Sequence, residues 1–376
     1  MIQRIKIFMK LGIVGLPNVG KSTLFNALTN SRVDAGNYLS RSSNANLGMV
    51  NVPDEGLDFL TKLHKSEKTI PASIEFIDIA GLVQGSSKGE GGGNKFLSHI
   101  REVDAVIHVV RCFEDDNVIH VNDASGDSRL DPVSDVDIVN MELIFSDMEI
   151  IERRIERVKK VLKGDKSVEK ELKLLEELSE VLNDGKSART INYTPEEELI
   201  IDESPLLSRK KIIYVANVGE NDIKNISANE YYNKLNEIAK SENAEIIPIC
   251  AKIEAEINEL DEYEKTEFLS DLGIEKSGLD KLIQSSYRLL GLISFLTAGP
   301  KETKAWTIKK GSKAPQAAGK IHSDFERGFI RAETVAFNDL LECGNMNIAK
   351  ERGLVRSEGK EYVVCDGDVI LFRFNV

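Results

Sequence analysis

An octapeptide near the start of the chain, Gly15-Leu16-Pro17-Asn18-Val19-Gly20-Lys21-Ser22, restricts the available folds more than any other feature. It follows the apolar run KLGIV and opens the helical pattern STLFNALTN, so a strand has to turn into a helix through a loop with two glycines. A G-x-x-x-x-G-K-[ST] loop in that setting aims successive backbone N–H groups and the positive end of the helix at an anion, the phosphate of a nucleotide. Lys21 is expected to bridge β- and γ-phosphates, and the Ser22 hydroxyl to ligate Mg2+. Asn18, Val19, Gly20, Lys21, Ser22 and Thr23 form the expected phosphate-binding stretch.

Beyond the loop, KLGIVG, STLFNALTN, SIEFIDIAG, NKFLSHIREV and AVIHVVRCF read strand, helix, strand, helix, strand. That alternation predicts an α/β fold on a mostly parallel sheet with helices on both faces. Residues 105–111 are apolar without alternation, as in a central strand covered on both faces, so His108 is expected to be packed. Asp78 closes the third of these segments as Asp78-Ile79-Ala80-Gly81, where a magnesium-directed carboxylate and a γ-phosphate-sensing N–H from Gly81 are expected. Residue 82 is leucine, which cannot orient an attacking water. Five glycines among residues 85–94 read as a nucleotide-sensing switch.

From Asp135 the spacing changes: Ile144, Met148, Ile151, Ile155, Val158 and Leu162 form a heptad stripe, and Val168, Leu172, Leu175 and Leu182 a second one. The break at Lys163-Gly164-Asp165 predicts an antiparallel helical hairpin inserted into the α/β unit. The α/β pattern resumes at KKIIYVANVGE and AEIIPICAK, and the last part of the chain reads as a small, mainly-β module. The expected division is a nucleotide-binding unit in two parts (9–134 and 207–291), the hairpin (135–206) and the C-terminal module (292–376), which suits a chain of 376 residues.

The strand IIYVAN ends in Asn217-Val218-Gly219-Glu220, where a guanine-specific protein of this architecture carries Asn-Lys-x-Asp. The extra methylene of Glu220 misplaces the carboxylate that would accept guanine N1–H and N2–H, and the lysine stem that packs on the base is gone. ATP is therefore expected over GTP, with Asn217, Val218 and Glu220 at the base.

A net charge of −13 argues against sequence-specific DNA binding. Lys301, Lys304, Lys309, Lys310, Lys313, Lys320, Arg327 and Arg331, against three acids between 301 and 331, form a candidate polyanion face. Four dispersed cysteines and no apolar stretch near the ~20 residues of a membrane span predict a reduced, cytoplasmic protein with no membrane partner.

The stretches GLPNVGKSTLFNALT, DIAGLVQGSSKGEGGGNKFL, HVVRCFEDDNVIHV, NVGE, AKIEAEI and AWTIKKGSKAPQAAGKIHSDFERGFIRAE are similar to the YchF subfamily of Obg-related P-loop proteins, the Obg-like ATPases, from Met9 to Val376. The resemblance implies a G domain, a coiled-coil insertion, a C-terminal ubiquitin-like TGS domain, ATPase activity and association with ribosomes, here expected on the large subunit through the TGS domain. It also implies that Ser42 stands where the family's first switch uses a magnesium-ligating threonine, in a segment, Leu39 to Ser43, that lacks the family's usual Pro-Phe. Gly92 replaces a leucine of the second switch, His120 becomes the candidate for activating water in place of residue 82, and Asn18 resembles the asparagine that helps bind K+ in cation-stimulated relatives. Two alternatives stay open: a nucleotide-gated ribosome- or RNA-binding protein with negligible hydrolysis, and a conventional GTPase.

Overall fold

Apolar runs of two different periods sort this chain into sheets and a helical arm. The computed structural model describes residues 9–30, 41–42, 45–79, 92–115, 130–274 and 276–375. In chain order, β1 (Lys10–Val14) leads through the glycine-rich loop into α1 (Lys21–Asn30), followed by β2 (Arg41–Ser42), β3 (Ala45–Asn51), α2 (Glu55–His64), β4 (Lys68–Ile70) and β5 (Ser73–Asp78). Next come α3 (Gly92–Glu102), β6 (Ala105–Cys112), α4 (Pro132–Leu162), α5 (Glu169–Asn183), α6 (Pro195–Ile201), β7 (Lys211–Val218), α7 (Glu230–Ser241), β8 (Glu245–Ile249), α8 (Ala251–Ile257), α9 (Glu262–Leu272) and α10 (Gly278–Leu289). The chain finishes with β9 (Leu292–Ala298), β10 (Glu302–Lys309), α11 (Ala314–Ile321), α12 (Ser323–Arg327), β11 (Phe329–Ala336), α13 (Phe337–Cys343), α14 (Met346–Glu351), β12 (Arg356–Glu358) and β13 (Asp368–Phe374).

Seven strands form the first sheet in the order β2-β3-β5-β1-β6-β7-β8. β1 runs parallel to β5 and β6, β6 to β7, and β7 to β8, while the short β2 is antiparallel to β3. All eight residues of β6 are buried, which is why its sequence shows no alternation. His108 is 1% exposed and packs beside Tyr214.

The arm begins where Asp131 caps α4 and Pro132 occupies its first turn. Ile144, Ile151 and Val158 of α4 pack with Leu174, Leu175, Leu178 and Leu182 of α5, as the two heptad stripes require. Buried polar staples fix the base. Asp147 accepts from the Leu207 and Ser208 N–H groups at 2.8 and 2.7 Å, and Arg154 donates to Glu171, Glu203, Ser204 and the Ile200 carbonyl. Nearer the sheet, Arg189, Glu242, Asn140 and the Tyr214 hydroxyl form one hydrogen-bonded cluster.

By compactness the chain divides into two units, one from the described residues of 1–49 and 75–282, the other from Val50–Ile74 and Ile283–Val376. Residues 50–74, expected within the first nucleotide-binding segment, thus group with the C-terminal module. The reason is pairing that no local pattern signals. β4 runs parallel to β10, the Ser66 hydroxyl donates to the Gly299 carbonyl at 2.8 Å, and Phe59 meets Phe337 edge-on. The sheet of this unit runs β12-β11-β13-β9-β10-β4 around a core that includes Phe295, Phe329, Ile370 and Phe372, with α11 against it. No helix among the described residues is long and apolar enough to cross a membrane.

Candidate functional site

The loop between β1 and α1 adopts backbone angles that few residues tolerate. Gly15 and Gly20 have φ of 148° and 97°, and Asn18 has φ of 64°, a left-handed conformation that asparagine accepts more readily than most side chains. Space is also closed to larger residues. A Cβ on Gly15 would lie 2.4 Å from the Val109 carbonyl oxygen, and one on Gly20 2.3 Å from Asn217 Nδ2. A loop with these backbone angles ahead of a helix is suited to turning successive backbone N–H groups toward an anion.

Lys21 is 8% exposed, and its ammonium donates to the Leu16 carbonyl at 2.9 Å, so the side chain folds back over the loop. Burial lowers its pKa, and the Asp78 carboxylate offsets part of that shift. Asp78, at the end of β5, has its own pKa raised by burial, with Lys21 and a hydrogen bond from the Ser22 hydroxyl acting the other way. The sheet order explains this convergence: β5 lies directly beside β1, and Ile13 pairs with Asp78 in register. A hydroxyl and a carboxylate in mutual contact next to a buried ammonium form an all-oxygen donor pair suited to a hard divalent cation, so the residues present fit Mg2+.

Asn217 plays a part that the sequence does not reveal. It is 5% exposed, its Nδ2 donates to the Val19 carbonyl at 2.9 Å, and its Oδ1 accepts from the Ala251 N–H at 3.1 Å. The side chain therefore ties the phosphate loop to the first residue of α8. Val218 is buried, 1% exposed, at the end of β7. Glu220 pairs with Lys252 at 2.6 Å, two exposed groups at the rim. Lys252 was missed by the sequence reading; its only signal is that AKIEAEI follows the β8 strand as NVGE follows β7.

Ser22 and Thr23 are exposed on the first turn of α1, and Val19 is buried beneath the loop. The Ser42 backbone pairs with Ala45 in the β2–β3 ladder; its side chain lies outside the described residues. Gly81, Leu82 and His120 also fall outside them. The chain leading toward His120 is fixed as far as Asp115, because Arg111 donates to the Phe113 and Asp115 carbonyls at 3.0 and 3.1 Å. His99 lies on α3 with a buried Nδ1 that has no hydrogen-bond partner among the described residues.

A phosphate loop leading into α1, with the β5 aspartate hydrogen-bonded to the loop serine on a mostly parallel sheet, defines a P-loop nucleoside triphosphatase. Comparison with known proteins sharpens the class. The family model described as 50S ribosome-binding GTPase matches residues 10–141, and the YchF-GTPase C-terminal model, described as a protein of unknown function, matches residues 292–375. A Bacillus subtilis protein named Ribosome-binding ATPase YchF is 56% identical over 366 residues, covering 97% of this chain and 99% of its own. An Escherichia coli O157:H7 protein of the same name is 48% identical over 368 residues, 98% of this chain and 99% of its own. The solved structure of the Schizosaccharomyces pombe YchF GTPase superposes with a TM-score of 0.84 at 36% identity, over 98% of this chain and 99% of that one. The chain belongs to the YchF family.

Proposed function

We propose that this protein is a ribosome-associated ATPase in which the state of the bound nucleotide governs association, working in the cytoplasm. One observation carries the nucleotide preference. At the strand end where guanine recognition needs a free, correctly placed carboxylate, Glu220 is one methylene too long and is engaged by Lys252 at 2.6 Å. A purine that presents an amino group in place of the guanine edge does not depend on that carboxylate, so ATP is favoured over GTP.

In this reading the backbone of residues 18–23 holds the phosphates and Lys21 bridges the β- and γ-phosphates, leaving its hydrogen bond to Leu16 as it does so. The low exposure of Lys21 keeps water from competing for its charge. Ser22 and Asp78, with Ser42, hold a Mg2+ ion, which when bound supplies positive charge beside the phosphates. The Gly81 N–H senses the γ-phosphate, and Asn18 assists a K+ ion. His120 takes the proton of the attacking water, the function that Leu82 cannot perform. Asn217 acts by positioning the loop, and Val218 through its backbone. The ribosomal partner is the large subunit, reached through the C-terminal unit, where the exposed Lys301, Lys309, Lys310 and Lys320 face solvent while Lys313, Arg327 and Arg331 pair with Glu361, Asp324 and Glu333.

Equilibrium binding of non-hydrolysable ATP and GTP analogues with Mg2+ and K+, followed by turnover of each natural nucleotide, tests the reading. Tighter ATP binding with phosphate release lost in His120→Ala supports it. Tighter GTP binding overturns the assignment of Glu220, and ATP binding without turnover replaces the enzyme by a nucleotide-gated binding protein.

A further inference from the structure

The helical arm carries its charge unevenly. Residues 157–170, at its tip, contain six basic side chains (Arg157, Lys159, Lys160, Lys163, Lys166 and Lys170) against two acidic ones, whereas residues 174–203 contain nine acidic against two basic. This is a cationic end on a chain of net charge −13. All six are exposed. Lys159 pairs with Glu176 at 2.8 Å, and the other five form no ion pair with another described residue. Their charge is not consumed within the unit.

The tip is also held in place. Val158 is the last buried residue of the α4 seam, the Gly164 and Asp165 N–H groups donate to the Val161 carbonyl at 2.9 and 3.0 Å, and the Asp165 carboxylate caps the following turn through the Ser167 N–H. With the arm clamped at Asp147 and Arg154, the helical rise sets Lys163 roughly 24 Å beyond Asp147. An ordered, projecting turn ringed by unpaired ammonium groups is suited to a polyanion of closely spaced charges.

From this we infer that the tip of the helical arm is a contact for the phosphate backbone of structured RNA, separate from the C-terminal basic run. Choosing RNA over other polyanions rests on the ribosome-associated reading; the electrostatics do not. Contact of this kind neutralises phosphates and releases counterions, so it is strong, independent of sequence and steeply dependent on salt.

The test uses the full chain and a fluorescein-labelled RNA hairpin, with affinity measured by anisotropy between about 50 and 200 mM salt. In Lys160→Gln/Lys163→Gln/Lys166→Gln the log–log salt slope is expected to fall by about 2–3, and affinity near 0.1 M salt to drop about a hundredfold. Lys186→Gln/Lys234→Gln/Lys240→Gln, which removes the same charge elsewhere, is expected to keep the slope, and ATP-analogue binding is expected to be unchanged in both. A tip variant with the wild-type slope, equal losses in the two triple variants, or a wild-type protein that does not bind RNA overturns the inference. Sedimentation with ribosomes over the same salt series is a separate readout. A wild-type protein that binds the hairpin through the tip but does not pellet with ribosomes leaves the tip contact standing and refutes the ribosomal reading.

Discussion

Replacing Asn217 by alanine should loosen the phosphate loop and the start of α8 together. The side chain makes two hydrogen bonds in a site where it is 5% exposed, at 2.9 Å to the Val19 carbonyl and 3.1 Å to the Ala251 N–H. Stripping a buried polar group of its partner costs about 1–3 kcal/mol, so two such groups, with some relaxation, come to about 2–4 kcal/mol of local stability. At about 1.4 kcal/mol per tenfold, local opening becomes roughly thirty to several hundred times more frequent. Hydrogen exchange followed by mass spectrometry reads this directly, because protection tracks the free energy of local opening. Exchange is expected to rise in parallel in peptides covering 15–23 and 250–257, to stay unchanged in the β6 peptide, and ATP-analogue affinity to fall at least about tenfold as the competent loop population shrinks. Asn217→Asp separates the two bonds. It keeps an acceptor for Ala251 but sets a carboxylate oxygen against the Val19 carbonyl, so only the 15–23 peptide should lose protection. If the alanine variant leaves both segments at wild-type protection, or if they respond independently, the bridging role of Asn217 is wrong.

Shortening Glu220 to aspartate should break its pair with Lys252 and set the carboxylate back by one methylene, raising the affinity for GTP relative to ATP about tenfold; an unchanged ratio in competition binding would remove Glu220 from nucleotide selection. His108 is fully buried with its pKa lowered by desolvation to about 3 against an ordinary 6.5, so the unfolded chain binds its proton first as pH falls. Its share of stability is therefore complete above about pH 6.5 and declines toward pH 3, amounting to a loss of roughly 2 kcal/mol by pH 5; denaturant titrations of His108→Leu at pH 7 and 5 should show that increment gone. Arg154→Met keeps the aliphatic stem but leaves Glu171, Glu203, Ser204 and the Ile200 carbonyl without their donor. The arm base should lose about 3 kcal/mol, seen as faster exchange in residues 195–204, and wild-type exchange there would show that the staple is dispensable.

The sequence by itself determined whatever a local pattern can carry. The phosphate loop was legible because its residue types, order and flanking strand and helix all act within a dozen positions. The arm was legible because Ile144, Ile151 and Val158 repeat at the spacing of a packed helix face, and β6 because a strand covered on both faces needs no polar alternation. The assignment of Asp78 and Ser22 to one cation is an expectation from the sequence, but their convergence rests on β5 lying beside β1 in the assembled sheet. Tertiary structure decided what depends on residues distant in sequence meeting in space. Residues 50–74 carry no mark of joining the C-terminal unit, because parallel pairing of β4 with β10 exchanges only backbone hydrogen bonds, which any sequence can supply. Asn217 is expected at the base from its place at a strand end; that its amide also reaches Val19, far away in the chain, follows only from the assembled sheet, where β7 and the loop converge. Glu220 could be read as too long for guanine, but its capture by Lys252 follows from β7 and β8 ending side by side. The basic residues of 157–170 are already neighbours in the sequence; folding the two helices back on each other sets them at one end of the arm, with Lys159 alone of the six in an ion pair among the described residues.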